Sequence, residues 1–356
     1  DIYKINNKIN VDGGIRIENT THKGIKERWT TPTGKDPVIN QFPLGQDGDY
    51  TTWYDAAFRK ASGVYDTIDF NYLSKSGSLG LLYLLSDNQS MFLRYTYSNK
   101  TPELDYYVNN FENIKPQKGY IESINQLEFG YKLNKEFISC QAVAFLNHLE
   151  NVPFQQFVYI NNTTRMTPAT FNTMQTMGLE LECNISYFKH FQVQLNTTLL
   201  RPKLYRFTYY NMNLTPQNMN DDFEEDFSGN YISEIPRINS NLNIYYKYKT
   251  IKPYISLNYV GKRMGNMRNT IELPAYWSLG SGISFKLFKY FELSLFATNI
   301  FDSVGILSLG GLGSLNNGGT EMLTEQTLNN QKQNGQPIFA RTTYPRVVGI
   351  SFKFVH

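Results

Sequence analysis

The sequence predicts an all-β chain, a transmembrane antiparallel up-and-down β-barrel. Three observations carry this. Side chains alternate apolar and polar with period two, aromatic residues make up 15% of the chain, and short connections alternate with long ones. Alternation is clearest in the last strand, where Val348, Ile350, Phe352 and Phe354 share one face and Val347, Gly349, Ser351 and Lys353 the other. In QVQLNTTL (192–199), Val193, Leu195, Thr197 and Leu199 oppose Gln192, Gln194, Asn196 and Thr198. In RINSNLNIYYKY (237–248), Ile238, Leu242 and Ile244 oppose Asn239, Asn241 and Asn243. A dry core could not satisfy so many amides and charges, whereas a wet lumen can, with the apolar set meeting lipid. Aromatic girdles at both membrane interfaces account for the Tyr and Phe content.

The other classes fall away. No stretch approaches about 18 consecutive apolar residues, so no transmembrane helix is expected. The start, DIYKINNKIN, lacks the charged and apolar regions of a signal peptide. A net charge of +3 and the lack of a basic cluster argue against nucleic acid as a partner.

About twelve strands are expected, near 8–22, 63–85, 90–99, 120–133, 137–148, 172–187, 190–205, 235–248, 251–263, 274–287, 290–301 and 344–355. Short turns fall at 86–89, 133–136, 187–190, 249–252 and 287–290. Long connections fall at 99–119, 149–171, 206–234, 264–273 and 302–343. This asymmetry matches short periplasmic turns and long extracellular loops. A further short turn, INNK at 5–8, follows Asp1 to Lys4, which reads like the tail of another downward strand. The expectation is therefore the carboxyl-terminal part of a larger barrel; a closed twelve-strand barrel is the alternative.

Several segments then resemble one family in order: VDGGIRIE (11–18), LRYTYSNKTPELDYY (93–107), IKPQ with LEFGY (114–117 and 127–131), MGLELE (177–182), YVGKR (259–263), LPAYWSLGSGISFKL (273–287), LSLFATNIFD (293–302) and YPRVVGISFKF (344–354). In this order they resemble the carboxyl-terminal half of TonB-dependent outer-membrane receptors, with Gln117 standing where the family usually has Glu. The resemblance implies strands 11 to 22 of a barrel of about 22 strands. It also implies energy-coupled uptake of a scarce nutrient across the bacterial outer membrane, and no enzyme activity. An amino-terminal plug domain and a TonB-type energy transducer that pulls on it are the implied partners, with outer-membrane lipid around the wall. A surface lipoprotein lid belongs to one branch of the family; the segment NIFDSVGILS (299–308) points away from that branch. The terminal strand resembles the signal read by the barrel-assembly machinery, carried by Val348, Ile350, Phe352 and Phe354.

Candidate site residues are few. Inward-facing Arg94, Glu128, Glu180 and Arg237 could contact the plug or a ligand. The acidic run Asp221, Asp222, Glu224, Glu225 and Asp226 could gather oxygen ligands for Ca²⁺, or be a solvated loop. Loop aromatics Tyr106, Tyr107, Tyr209, Tyr210 and Tyr231 could stack on a ligand or sit in the outer girdle. The four histidines have no ligand spacing, and LGGLGSLNNGG (309–319) lacks the ending of a phosphate loop. Cys140 and Cys183 fall on lipid-facing positions near the periplasmic ends of adjacent strands; a cross-strand disulfide is geometrically open to them, but two free thiols are the favoured expectation. No cofactor is expected. A passive porin and an adhesive barrel that binds partner proteins are the competing functions, and the residues do not select a ligand.

Overall fold

The structure is a computed structural model that describes residues 2–30, 60–103, 116, 118–154, 157–160, 163–166, 169–187, 190–211, 223–288, 290–309, 325–335 and 340–354. Its elements in chain order are β1 (Ile2–Lys4), β2 (Ile9–Thr30), β3 (Lys60–Ser86), β4 (Gln89–Lys100), β5 (Glu122–Lys135), β6 (Ile138–Phe154), β7 (Phe157–Ile160) and β8 (Thr163–Met166). They continue with β9 (Thr170–Tyr187), β10 (Phe191–Arg206), β11 (Thr208–Asn211), β12 (Phe223–Asp226), β13 (Ile238–Tyr246), β14 (Ile251–Val260), β15 (Arg263–Met264) and β16 (Glu272–Leu273). The last are β17 (Tyr276–Phe288), β18 (Phe291–Thr298), β19 (Ile306–Leu309), α1 (Glu325–Gln333), β20 (Ala340–Thr342) and β21 (Val347–Phe354).

Thirteen strands form one antiparallel up-and-down sheet in the order β1-β2-β3-β4-β5-β6-β9-β10-β13-β14-β17-β18-β21. All twelve expected strands are present. The thirteenth, β1, is the short tail foreseen at Asp1 to Lys4, and it pairs Ile2 with Asp12. No helix among the described residues is long and apolar enough to cross a membrane, which says nothing of strands that cross one. The all-β expectation holds, and the connection before β21 adds one short helix, α1, whose Glu325 in the first turn and Lys332 in the last complement the helix dipole.

Register explains why both faces are stable. One row of directly opposed residues runs Leu133, Cys140, Cys183, Leu195, Leu242, Leu257, Leu279 across seven strands. The row one residue away reads Lys132, Gln141, Glu182, Asn196, Asn241, Asn258, Ser278. A one-residue slip of any strand would exchange these sets, so the apolar face fixes the register. Amides on the polar row satisfy one another: Asn241 Nδ2 donates to Asn258 Oδ1 at 2.6 Å.

The two cysteines correct an expectation. They are directly opposed on β6 and β9 and form a disulfide, with Cα atoms 4.2 Å apart. That short separation is the one found at non-hydrogen-bonded antiparallel pairs, where facing side chains come closest. β6 and β9 are joined by a long connection, so no tight turn fixes their register and the sequence leaves the pairing open.

The long connections carry structure of their own. The hairpins β7–β8, β11–β12, β15–β16 and β19–β20 are each a separate two-stranded sheet. Between β10 and β13 the chain folds back onto the strand ends and builds a small core of Leu204, Phe207, Tyr209 and Phe227, against which Phe154, Met174, Ile232 and Met267 pack. Side-chain amides hold the neighbouring turn to it. Asn269 accepts the Tyr231 N–H at 2.7 Å, and Asn230 donates to the Met267 carbonyl at 2.9 Å.

The described chain divides into two compact units, Asp1–Arg16 with Lys75–Asn99 and Glu122–His356, and Ile17–Ser74 with Lys100–Ile121. In the second, Arg28 donates through Nε and Nη2 to the two oxygens of buried Asp66, each at 2.8 Å. This is the bidentate geometry that makes a guanidinium–carboxylate pair specific.

Candidate functional site

On the polar face a cavity of about 470 Å³ brings together Arg94, Glu128 and Glu180 with Asp12, Lys132 and Gln141. Three of the four inward charges expected from the sequence therefore meet. The central contact is Arg94 Nη2 to Asp12 Oδ1 at 3.0 Å and Oδ2 at 3.1 Å. Asp12 is on β2 and Arg94 on β4, so the pair reaches across β3. Gly80, directly opposite Arg94, makes this reach feasible: a Cβ there would collide with the Asp12 carboxylate.

The same device recurs along this face. Gly130 leaves room for the Phe92 ring and Gly349 for the Phe296 ring, so the aromatics lie against the wall instead of filling the space in front of it. Lys132 Nζ sits 5.2 Å from the Phe92 ring centre, a cation–π contact at the cavity floor. Glu128 accepts a hydrogen bond from Gln126 Nε2 at 2.7 Å but has no cationic partner among the described residues. Glu180 has none either. The Asp12–Arg94 pair is neutral, so Glu128 and Glu180 against Lys132 leave the cavity one carboxylate in excess. The field of this surface is complementary to a cationic group.

Arg237 is not part of this cluster. Its guanidinium lies 4.1 Å from the Tyr231 ring centre, on a ring that also receives Lys203 Nζ at 3.6 Å. Of the loop aromatics, Tyr209 is fully buried in the small core, so it is neither a stacking platform nor a girdle residue. Tyr106 and Tyr107 lie outside the described residues, as do Asp221 and Asp222. The rest of the acidic run is β12, paired with β11. Its Glu225 is bonded to Arg268, and its Asp226 accepts the Ser228 N–H at 2.8 Å. The Ser228 hydroxyl, and then its N–H, hold the Asp226 carboxyl below the usual carboxylate range.

At the chain end, Val348, Ile350, Phe352 and Phe354 are 75%, 62%, 65% and 78% exposed on β21, which pairs with β18. Phe291 of β18 stacks on Phe352 at 5.8 Å and meets Phe354 edge-on at 5.3 Å. The NIFD segment fastens this strand. Asn299 Nδ2 donates to the carbonyls of Ser303 and Tyr344 at 3.0 Å each, and the Asp302 carboxylate accepts the Arg346 N–H at 2.8 Å. Asn299 (φ 46) and Asp302 (φ 53) adopt left-handed conformations, which Asn and Asp tolerate best among residues with a Cβ. The two motifs are thus two halves of one clasp, separated by more than forty positions.

Residues 1–300 match the family described as TonB dependent receptor-like, beta-barrel. Among solved structures the chain is similar to the ferric yersiniabactin uptake receptor FyuA from Yersinia pestis, with 14% identity and a TM-score of 0.66, covering 99% of this chain and 44% of that one. It is similar to the copper transporter OprC (13%, TM-score 0.67, 99% and 48%) and to the unliganded ferric citrate transporter FecA (14%, TM-score 0.61, 98% and 42%). The chain spans less than half the length of each of these. No curated protein sequence matches. At these identities the structural likeness speaks for the fold, and the family match extends over most of the chain. The chain belongs to the TonB-dependent receptor β-barrel family, a family of bacterial outer-membrane proteins.

Proposed function

We propose that this chain is the wall and the extracellular ligand-binding surface of an energy-coupled importer of a scarce nutrient. It would make up the carboxyl-terminal part of a barrel whose plug and first strands lie outside this sequence. The observation that carries the reading is the polar-face cavity, where Glu128 and Glu180 lack cationic partners among the described residues beside the Asp12–Arg94 pair. In this reading a positively charged side chain of the plug docks there, and Arg94 is held in place by Asp12 to shape the same seat. A TonB-type transducer acts on the plug, not on this wall, and a surface lipoprotein is a further candidate partner. The wall itself needs no cofactor. FyuA and FecA take up ferric complexes by their names and OprC is a copper transporter, so metal chelates are the first ligands to try.

The test uses the full receptor in cells, with and without its energy transducer. Uptake that disappears with the transducer, together with a closed pore in planar bilayers, supports the importer. In the same bilayers, Glu128→Gln with Glu180→Gln should raise leak conductance by loosening the plug. Steady ion conductance from the unmodified protein and transducer-independent uptake would favour the porin.

A further inference from the structure

On the apolar face, β2, β3 and β4 enclose a groove of about 920 Å³. Gly13 and Gly77 form its floor, and Ile15, Leu79 and Tyr95 form its walls. Ile15 and Leu79 are 87% and 61% exposed, as befits side chains that meet lipid. Neither glycine has positive φ, and a Cβ at Gly77 would meet nothing closer than 3.4 Å. What the glycine supplies here is therefore depth, because any larger side chain would fill the groove.

Lys75 lines the same groove and is its one charged side chain. It is exposed, and its ammonium has no carboxylate partner among the described residues. Its height is informative. Lys75 stands about eleven residues up β3 from the short turn after Ser86, which is ~36 Å of strand at ~3.3 Å per residue. With a strand tilt of ~45° this becomes ~25 Å along the membrane normal, the height of the apolar band of such barrels. Lys75 thus lies at the level of the outer-leaflet headgroups, and the groove below it lies in the acyl-chain layer.

We propose that this groove holds one phosphorylated glycolipid of the outer leaflet, an acyl chain lying over Gly13 and Gly77 and a headgroup phosphate on Lys75. An apolar trough alone would accept any acyl chain. The unpaired cation at headgroup height is what selects an anionic lipid. The proposal depends on the membrane setting only and is independent of what the receptor imports.

The test is native mass spectrometry of the full receptor, purified in mild detergent from cells, with folding confirmed by heat-modifiable gel mobility. The unmodified protein should retain the phosphorylated glycolipid, and neither inorganic phosphate nor added zwitterionic phospholipid should displace it. Gly77→Leu should abolish retention. Lys75→Ala should weaken it about fivefold, the value of one cation near an anionic surface, and Lys75→Arg should restore it. Equal retention by Gly77→Leu and Lys75→Ala would overturn the proposal, as would free exchange with zwitterionic lipid. Lys75→Ala does not touch the packed sheet, so its result stands if Gly77→Leu fails to assemble.

Discussion

Leu242→Arg and Asn243→Arg place the same charge on adjacent residues of β13 and so isolate the effect of the face. Leu242 lies between Leu195 and Leu257 in the apolar row, and Asn243 between Gln194 and Ser256 on the polar one. Leu242 is about four residues from Tyr246, which ends β13 in the periplasmic aromatic zone, so it stands ~13 Å along the strand and ~10 Å along the normal. That is close to the middle of an apolar band ~25 Å tall. An arginine facing lipid there should cost about 2–4 kcal/mol. This corresponds to a fall of roughly 30-fold to roughly 900-fold in the folding equilibrium. Asn243→Arg enters a hydrated polar row and should cost well under 1 kcal/mol, about the scale of a surface substitution. Urea-dependent folding of the full receptor into lipid vesicles, followed by gel mobility, measures both. Equal midpoints for the two variants would refute the face assignment and the membrane reading of the sheet with it.

Further outcomes follow from individual contacts. Denatured but unreduced protein should accept no maleimide at Cys140 or Cys183. Replacing both by Ser should destabilise by at most about 4 kcal/mol, the chain-entropy bound for the loop they close. Gly80→Val should break the Asp12–Arg94 pair, so a double-mutant cycle on Asp12 and Arg94 should show coupling near 0.5 kcal/mol with Gly80 present and none with Val. Asp302→Ala removes the acceptor of the Arg346 N–H and should cost about 1 kcal/mol of assembled-barrel stability, read in the same urea assay. The Asp226 carboxyl has a lowered folded-state value, so its contribution is present above the unfolded carboxyl range and lost as pH falls below about 4. Proteolysis of the β11–β12 hairpin should therefore rise in acid, and Ser228→Ala should move that rise to higher pH.

Local patterning was legible in the sequence because it depends on neighbouring residues. The alternation of Leu242 with Asn243, the short turns after Ser86, Lys135 and Tyr246, and even the stub Ile2–Lys4 all come from period two and turn chemistry. What escaped depends on register between distant segments. The role of Asp12 is hidden in the sequence because its partner Arg94 is 82 positions away and the glycine between them belongs to a third strand. The Cys140–Cys183 bond needed a register set across a long connection. The acidic run reads as one loop, but three of its five carboxylates lie on a strand, where Glu225 is engaged by Arg268 and Asp226 by Ser228. Tyr209 looked like a surface aromatic and is core, because its neighbours Phe207 and Phe227 arrive from opposite sides of a loop.

We propose that these residues are the wall of a larger, plugged and energised receptor. The intact denatured mass of the polypeptide purified from its source tests it most directly. A mass about twice the 41.2 kDa of these residues is the predicted result, since the chain covers 44% of FyuA and 48% of OprC. A mass equal to 41.2 kDa would contradict it and leave a small self-contained barrel, for which passive diffusion is the better reading.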